Sequence, residues 1–456
     1  MSEKESGKPA TALWREISSR SGWWSRSVWI AMLLVCTVSP VMAGADLARM
    51  RADLEWIAAP DRAGRAPGSA ESEAVRDYIA AAFGEAGLSA VQEGWFQEVD
   101  AKPDADSPEV HLPEGVTWEN AKLANVVGIV PSVQESGTTS ELDARTTARI
   151  VIVGAHFDHL GQSGKIDDED EDYPSIYPGA DDNASGVAIL LEAARLLAKS
   201  GPFRNRILFL AFDGEESGNL GSSHYVGHPI APLEQTLAMI NLDTIGRMQD
   251  RRLYALASGT ASELAGILRG VNLGFGFDLS TPEAGSFASD HLSFIEHGIP
   301  SVHLSTGANP DYHRPTDTAE KIAWNELAET ADFVVELVSF LANESEPLTF
   351  VPPGAEKLSA APQGPPRQVS LGTIPDFARE SGGVLLTGVM PGSPAESAGL
   401  TKGDIVVSLA GAPIDNLADF SAALKAHQPG DQVTVEVLRD GQKIAYTVAL
   451  VERARR

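Results

Sequence analysis

The chain has 456 residues, 43% of them hydrophobic, enough for two or three domains with sizeable cores. Its 63 acidic residues against 35 basic ones give a formal net charge of −28. That balance argues against nucleic acid and anionic membrane as partners, and favours a cationic group such as a peptide's free amine.

At the N-terminus, Arg20 and Arg26 precede an apolar run over 28–38, and small-residue patterns follow at Val41-Met42-Ala43 and Ala43-Gly44-Ala45. This order predicts a secretory signal over residues 1–45 and an exported protein, periplasmic or secreted. The apolar run is short for a bilayer span. An uncleaved segment is the alternative, and it would anchor the chain to the membrane. The single cysteine, Cys36, lies inside this segment, so the exported chain would rely on core burial and bound metal in place of disulfides.

Residues 46–343 alternate helix-like and strand-like stretches. The pattern predicts an amphipathic helix over Ala70–Ala86, stopped by Gly87. Apolar runs predict strands over 149–155, Arg206–Phe212, Thr236–Leu242 and 299–304, with a mostly apolar helix over 184–199. The order implies an α/β fold: a largely parallel mixed sheet covered by helices on both faces, with ligands bound at the carboxyl ends of its strands. The acidic run at 167–172 reads as a solvated loop held open by its own repulsion. Residues 344–367 carry six prolines and form a semi-extended linker. Residues 368–452 form a second, small β-rich domain, with a strand near 383–389, a helix over 416–427, and strands 433–438 and 443–450 around the hairpin turn Arg439-Asp440-Gly441.

Five side chains in the first domain fall where predicted strands end or in the loops that follow: His156, Asp182, Glu216, Asp243 and His313. Two imidazoles and three carboxylates suit a pair of borderline-soft divalent metals. Glu215 is a further carboxylate beside them, the spare acid that metal-assisted hydrolysis needs. Asp158, two residues after His156, can accept the imidazole's other N–H and fix its tautomer. Asp181 and Asn183 hold the Asp182 loop or cap the next helix.

The motifs His156-Phe157-Asp158, Gly179-Ala180-Asp181-Asp182-Asn183-Ala184-Ser185-Gly186, Glu215-Glu216, Asn241-Leu242-Asp243 and Tyr312-His313-Arg314-Pro315-Thr316-Asp317-Thr318 resemble those of the di-zinc aminopeptidase family, whose relatives include bacterial leucyl aminopeptidases, the transferrin receptor ectodomain and glutamate carboxypeptidases. The resemblance covers about 46–343. It implies two Zn2+ ions, one held by His156 and Asp243, the other by Glu216 and His313, with Asp182 bridging. It further implies Glu215 as general base, Tyr312 as a hydrogen-bond donor to the oxyanion, and a cis peptide after Asp182. Many relatives carry a protease-associated insert; residues 101–147 are too few for a full one.

In the second domain, Ser370-Leu371-Gly372-Thr373-Ile374-Pro375, Gly388-Val389-Met390-Pro391-Gly392-Ser393-Pro394-Ala395 and Gly403-Asp404-Ile405-Val406 resemble a PDZ domain of the bacterial envelope-protease type. The resemblance implies that Leu371, Gly372, Thr373 and Ile374 form a loop receiving the carboxylate of a C-terminal peptide added as a strand.

The expectation is an exported metallo-aminopeptidase acting on peptides. The alternatives are a carboxypeptidase, which would use Arg247 or Arg314 for a substrate carboxylate, a glutaminyl-cyclase-like enzyme with one zinc, and a non-catalytic peptide-binding scaffold stabilised by zinc.

Overall fold

The computed structural model describes residues 44–91, 94–100, 102–103, 110–133, 148–163, 175–283, 288–353, 368–376, 379 and 381–452. The signal-like segment up to 43, the acidic run 167–172 and linker residues 354–367 lie outside the described residues. No helix among the described residues is long and apolar enough to cross a membrane.

Nine strands build the first sheet: β1 (Ser89–Ala90), β2 (Phe96–Val99), β3 (Leu123–Val130), β4 (Ile150–His156), β5 (Arg206–Phe212), β6 (Thr236–Leu242), β7 (Arg252–Leu256), β8 (Asp278–Ser280) and β9 (Ser301–Ser305). Their order is β1-β3-β5-β4-β6-β9-β7-β8, with β2 also on β3. The central strands β5, β4, β6 and β9 run parallel, and β3 and β7 join them antiparallel. Every residue of β3, β4 and β5 is buried, as continuous apolar strands covered on both faces require.

The helices of this part are α1 (Leu47–Ile57), α2 (Ala70–Ala86), α3 (Gly186–Ser200), α4 (Leu220–Gly227), α5 (Leu264–Asn272), α6 (His291–Glu296) and α7 (Trp324–Ala342). Helix α2 has the expected limits because Ser69 Oγ accepts the Ser72 N–H at its start and Gly87, at φ 88°, ends it. Helix α3 lies against α1, α2 and α7. Two ion pairs fix α1 on α3. Arg49 donates to the buried carboxylate of Glu192 through Nε at 2.8 Å and Nη2 at 2.6 Å, and Arg195 reaches Asp53 at 2.5 Å. A buried carboxylate left without such a partner costs several kcal/mol.

The path of the chain positions the site. From β4 it crosses to β5 on one side, and β6 then takes the other side of β4. Strand order reverses there, and the carboxyl ends of β5, β4 and β6 frame the resulting crevice.

The C-terminal part has its own core, including Leu371, Leu386, Leu400, Val406, Phe420 and Val435. Strands β10 (Val369–Ser370) and β17 (Val451–Glu452) pair with each other. Strands β11 (Thr373–Pro375), β12 (Val384–Val389), β13 (Ile405–Leu409), β14 (Ala412–Pro413), β15 (Gln432–Arg439) and β16 (Gln442–Ala449) form a six-stranded antiparallel sheet, with helices α8 (Pro394–Ala398) and α9 (Leu417–Lys425). The β15–β16 hairpin closes at Asp440 and Gly441, with φ of 52° and 76°, the left-handed pair that matches strand twist. Strand β11 is an edge of the sheet, and Leu371 and Gly372 lead into it. A Cβ at Gly372 would come within 2.2 Å of Ser393 Cβ, so glycine is required at this turn.

Candidate metal centre

His156 ends β4, and Asp243 follows the last residue of the adjacent parallel strand β6. The register pairs Gly154 with Asn241, which brings both side chains to one edge of the sheet. His156 Nε2 lies 3.2 Å from Asp182 Oδ1 and 3.4 Å from Asp243 Oδ1.

Asp182 sits in an irregular turn before α3. Gly179, at φ 56°, opens the turn, and the Asp182–Asn183 peptide is cis. Side chains of other segments hold the turn. The Asp317 carboxylate accepts the backbone N–H of Asp181 at 3.0 Å and of Asp182 at 3.1 Å. Asn183 donates to Leu242 O at 2.8 Å, and its own amide oxygen accepts the Gly186 N–H at 3.0 Å. Asp181 accepts the Gly246 N–H at 2.6 Å and the Asn309 amide at 2.8 Å. Only Asp182 and Asn183 have non-helical backbone angles, so helical backbone resumes at Ala184, where the sequence places the helix start, and runs into α3.

Glu215 and Glu216 occupy a short turn after β5, entered through Gly214 at φ 78°. His313 lies in the long loop after β9, itself at φ 56°. Its Nε2 is 3.1 Å from Asp182 Oδ2 and 3.0 Å from Glu216 Oε2. The Tyr312 ring stacks on the His313 ring with centroids 3.9 Å apart.

The five donors thus form two groups that share Asp182. One oxygen of that carboxylate faces His156 beside Asp243, and the other faces His313 beside Glu216. Each imidazole Nε2 points between two carboxylate oxygens, whereas one N–H serves one acceptor well. Donors of a tetrahedral site with bonds near 2.0–2.1 Å stand about 3.3 Å apart, so the observed 3.0–3.4 Å spacings fit a small divalent ion. His156, Asp182 and Glu216 each offer a ligand atom within 4.8 Å of the others.

The protein's own charges are strongly coupled here. Burial by itself would lower the His156 pKa, but Glu215 and Asp243 carry it well above the imidazole value. Burial opposes ionisation of Asp182, yet the bonds to His156 and His313 hold it well below the carboxylate range. Glu216 behaves alike and falls to about 2 beside His313. Burial pushes Glu215 well up, and its carboxylate forms no hydrogen bond among the described residues. Burial and the surrounding carboxylates hold the Tyr312 hydroxyl protonated.

The structure brings together all eight residues singled out in the sequence for this site. The Asp158 carboxylate is 3.7 Å from His156 Nδ1, beyond a hydrogen bond, while the Asp158 backbone oxygen is nearer at 3.3 Å. The carboxylate raises the His156 pKa and also accepts the N–H of Glu215 at 3.1 Å and of Glu216 at 3.4 Å. It secures the two-glutamate turn.

Sequence reasoning missed three contributors. His159 Nδ1 contacts Glu216 Oε1 at 2.6 Å. Asp317 anchors the Asp182 turn, and Arg65 reaches the same loops from the N-terminal part. Asp317 lies within a quoted motif and His159 directly follows one, which offered a place to look. Arg65 offered no signal.

Known proteins share sequence and fold with parts of this chain. Residues 138–338 match the model of peptidase family M28, and residues 371–450 match that of the PDZ domain. Aminopeptidase YwaD of Bacillus subtilis is 36% identical over 212 residues, covering 44% of this chain and 43% of that protein. The curated relatives it matches are covered over 43% to 66% of their own length. Among solved structures, a zinc aminopeptidase from Bacillus subtilis aligns with a TM-score of 0.50 at 21% identity, over 67% of this chain and 97% of that one. A glutaminyl cyclase from Porphyromonas gingivalis aligns with a TM-score of 0.50 at 21% identity, over 65% and 99%. The two structural likenesses show a shared fold. Residues 138–338 are thus similar to peptidase family M28, on a fold shared with the zinc aminopeptidase, and residues 371–450 are similar to the PDZ domain.

Proposed function

We propose that this chain, with its M28-like region, is a co-catalytic di-zinc aminopeptidase that removes N-terminal residues from peptides. The observation that carries the reading is the division of Asp182 between two donor groups, His156 with Asp243 and His313 with Glu216. Zinc bound there would lower the pKa of an attacking water toward about 7 and polarise the scissile carbonyl. Glu215 takes the proton of that water on its carboxylate and passes it to the departing amine. Asp158 holds Glu215 in place through the backbone N–H. The Tyr312 hydroxyl donates a hydrogen bond to the developing oxyanion.

The alternatives fit less well. A carboxypeptidase needs a free cation for the substrate carboxylate. Arg247 is engaged through Nη2, 2.9 Å from Asp311, whereas the exposed Arg314 guanidinium contacts Met390 Sδ at 3.9 Å, so peptides blocked at either end separate the two readings. A one-zinc cyclase leaves part of the five-donor set without purpose. A structural zinc site has no need of an uncoordinated acid such as Glu215 beside it. Export of the chain and capture of a peptide carboxylate at Leu371–Ile374 complete the proposal; N-terminal sequencing of the purified protein tests the first.

The decisive experiment uses aminoacyl amides and short peptides blocked at either end, with metal content measured on the same samples. N-terminal blocking is expected to abolish cleavage, and C-terminal blocking to leave it. The reverse pattern refutes the aminopeptidase reading, and one bound ion per chain refutes the dinuclear one. Glu215→Gln is expected to keep zinc and lose about 10²–10⁴ in kcat. Near-normal turnover in that variant removes Glu215 from the mechanism.

A further inference from the structure

Arg65 is 1% exposed, and its side chain runs under the loops that carry two of the donors. Nε donates to Phe157 O at 2.7 Å, Nη2 donates to Gly179 O at 2.7 Å and Asp182 O at 3.3 Å, and Nη1 donates to Pro178 O. Phe157 follows His156, and the other three carbonyls belong to the turn that presents Asp182. One planar guanidinium therefore spans the loop after β4 and the turn before α3.

The surrounding backbone is fitted to this position. Arg65 has φ 42°, and its own carbonyl accepts the His159 N–H at 3.3 Å. Gly64 O accepts the Gly161 N–H at 3.0 Å, and a Cβ at Gly64 would come within 2.1 Å of Gly161 O. No carboxylate hydrogen-bonds to this guanidinium among the described residues; its donors all meet carbonyls. Burial lowers its pKa to about 10, opposed by Asp182 and Asp158, so it stays charged near neutrality.

Resting on the zinc reading above, we propose that Arg65 is a positioning residue of the metal centre: its fork fixes the spacing between His156 and Asp182 and thereby sets zinc affinity. The residue lies in the segment before the stretch 138–338 matched to the peptidase family model, so that segment is part of the site. A lysine keeps the charge but offers a point donor that cannot bridge the four carbonyls.

The test is zinc affinity of the full chain, by competition with a fluorescent zinc chelator, in wild type, Arg65→Lys and Arg65→Gln. Both variants are expected to bind zinc about 10–100-fold more weakly, the range for loss of a residue that orients ligands. At saturating zinc, Arg65→Lys is expected to regain kcat within about threefold of wild type, because the Arg65 side chain is buried and donates to backbone carbonyls. A folded Arg65→Lys with wild-type zinc affinity overturns the proposal. So does loss of folding in both variants, which assigns Arg65 to the fold itself. Wild type holding two zinc ions while Arg65→Lys is unaltered refutes only this inference; wild type holding no zinc refutes the reading it rests on.

Discussion

Asp158→Asn is the most informative substitution at the site. The Asp158 side chain is fully buried, and its two oxygens accept the N–H groups of Glu215 and Glu216 at 3.1 and 3.4 Å. Asparagine keeps the shape but has one acceptor oxygen, so its amide nitrogen must face one of those N–H donors. The oxygen will keep the closer donor, Glu215, and the Glu216 N–H is left facing the amide. A hydrogen bond to a charged group contributes about 1.5–3 kcal/mol, more than a neutral one. Loosening of the turn by that amount corresponds to about 10- to 150-fold in rate. Glu215 and Glu216 share the turn, so the loss should fall on kcat while KM stays within about threefold. Steady-state kinetics on aminoacyl p-nitroanilides, with zinc content measured in parallel, give the answer. A kcat within twofold of wild type refutes the assignment of Asp158 to the turn. The kcat is read at saturating zinc, because a loosened Glu216 should also bind zinc more weakly.

His159→Gln removes the 2.6 Å partner of Glu216, and zinc affinity should fall about 10–100-fold in chelator competition. Gly179→Ala places a Cβ 2.2 Å from Asp182 O at a left-handed φ, so the variant should lose metal and melt at lower temperature by calorimetry. In the PDZ domain, burial would raise the Asp404 pKa, but Arg439, at 2.6 and 2.7 Å, holds it below the carboxylate range. A depressed carboxylate contributes stability above its unfolded value of about 3.9 and loses it as pH falls through the folded value. The difference in melting temperature between wild type and Asp404→Asn should therefore be constant from pH 7 to 5 and shrink below pH 4.

Much of the sheet was legible because its central strands are short apolar runs bounded by turns. Residues Arg206–Phe212 and Thr236–Leu242 emerge with the expected limits, and β4 and β9 shift by one or two residues. The short outer strands were not legible: β1, β2 and β8 have two to four residues, too few to carry a period. The turn before α3 was not legible because propensity cannot register a turn fixed by Asp317, which lies 135 residues away from Asp182. In the site, the donors were legible because residue type itself reports metal affinity. Arg65 was invisible for the opposite reason. It meets backbone oxygens, which every residue has, and the partners lie 92 to 117 positions along the chain.

The same contrast runs through the two halves of the site. His156 and Asp243 stand at the ends of adjacent parallel strands in register, so the sheet sets their separation before any side chain acts. Glu216 and His313 hang on turns with left-handed backbone at Gly214 and at His313 itself, where no strand fixes the distance. That half depends on side-chain props: His159 against Glu216, Tyr312 stacked on His313, and Asp158 beneath the two-glutamate turn. Asp182, shared by both halves, is held by Asp317 on one side and by Arg65 on the other. Substitutions that loosen the props should therefore act first on the Glu216–His313 half. The sheet-borne half depends on the hydrophobic core that aligns β4 with β6, and a change there reaches the chemistry only by disturbing the fold.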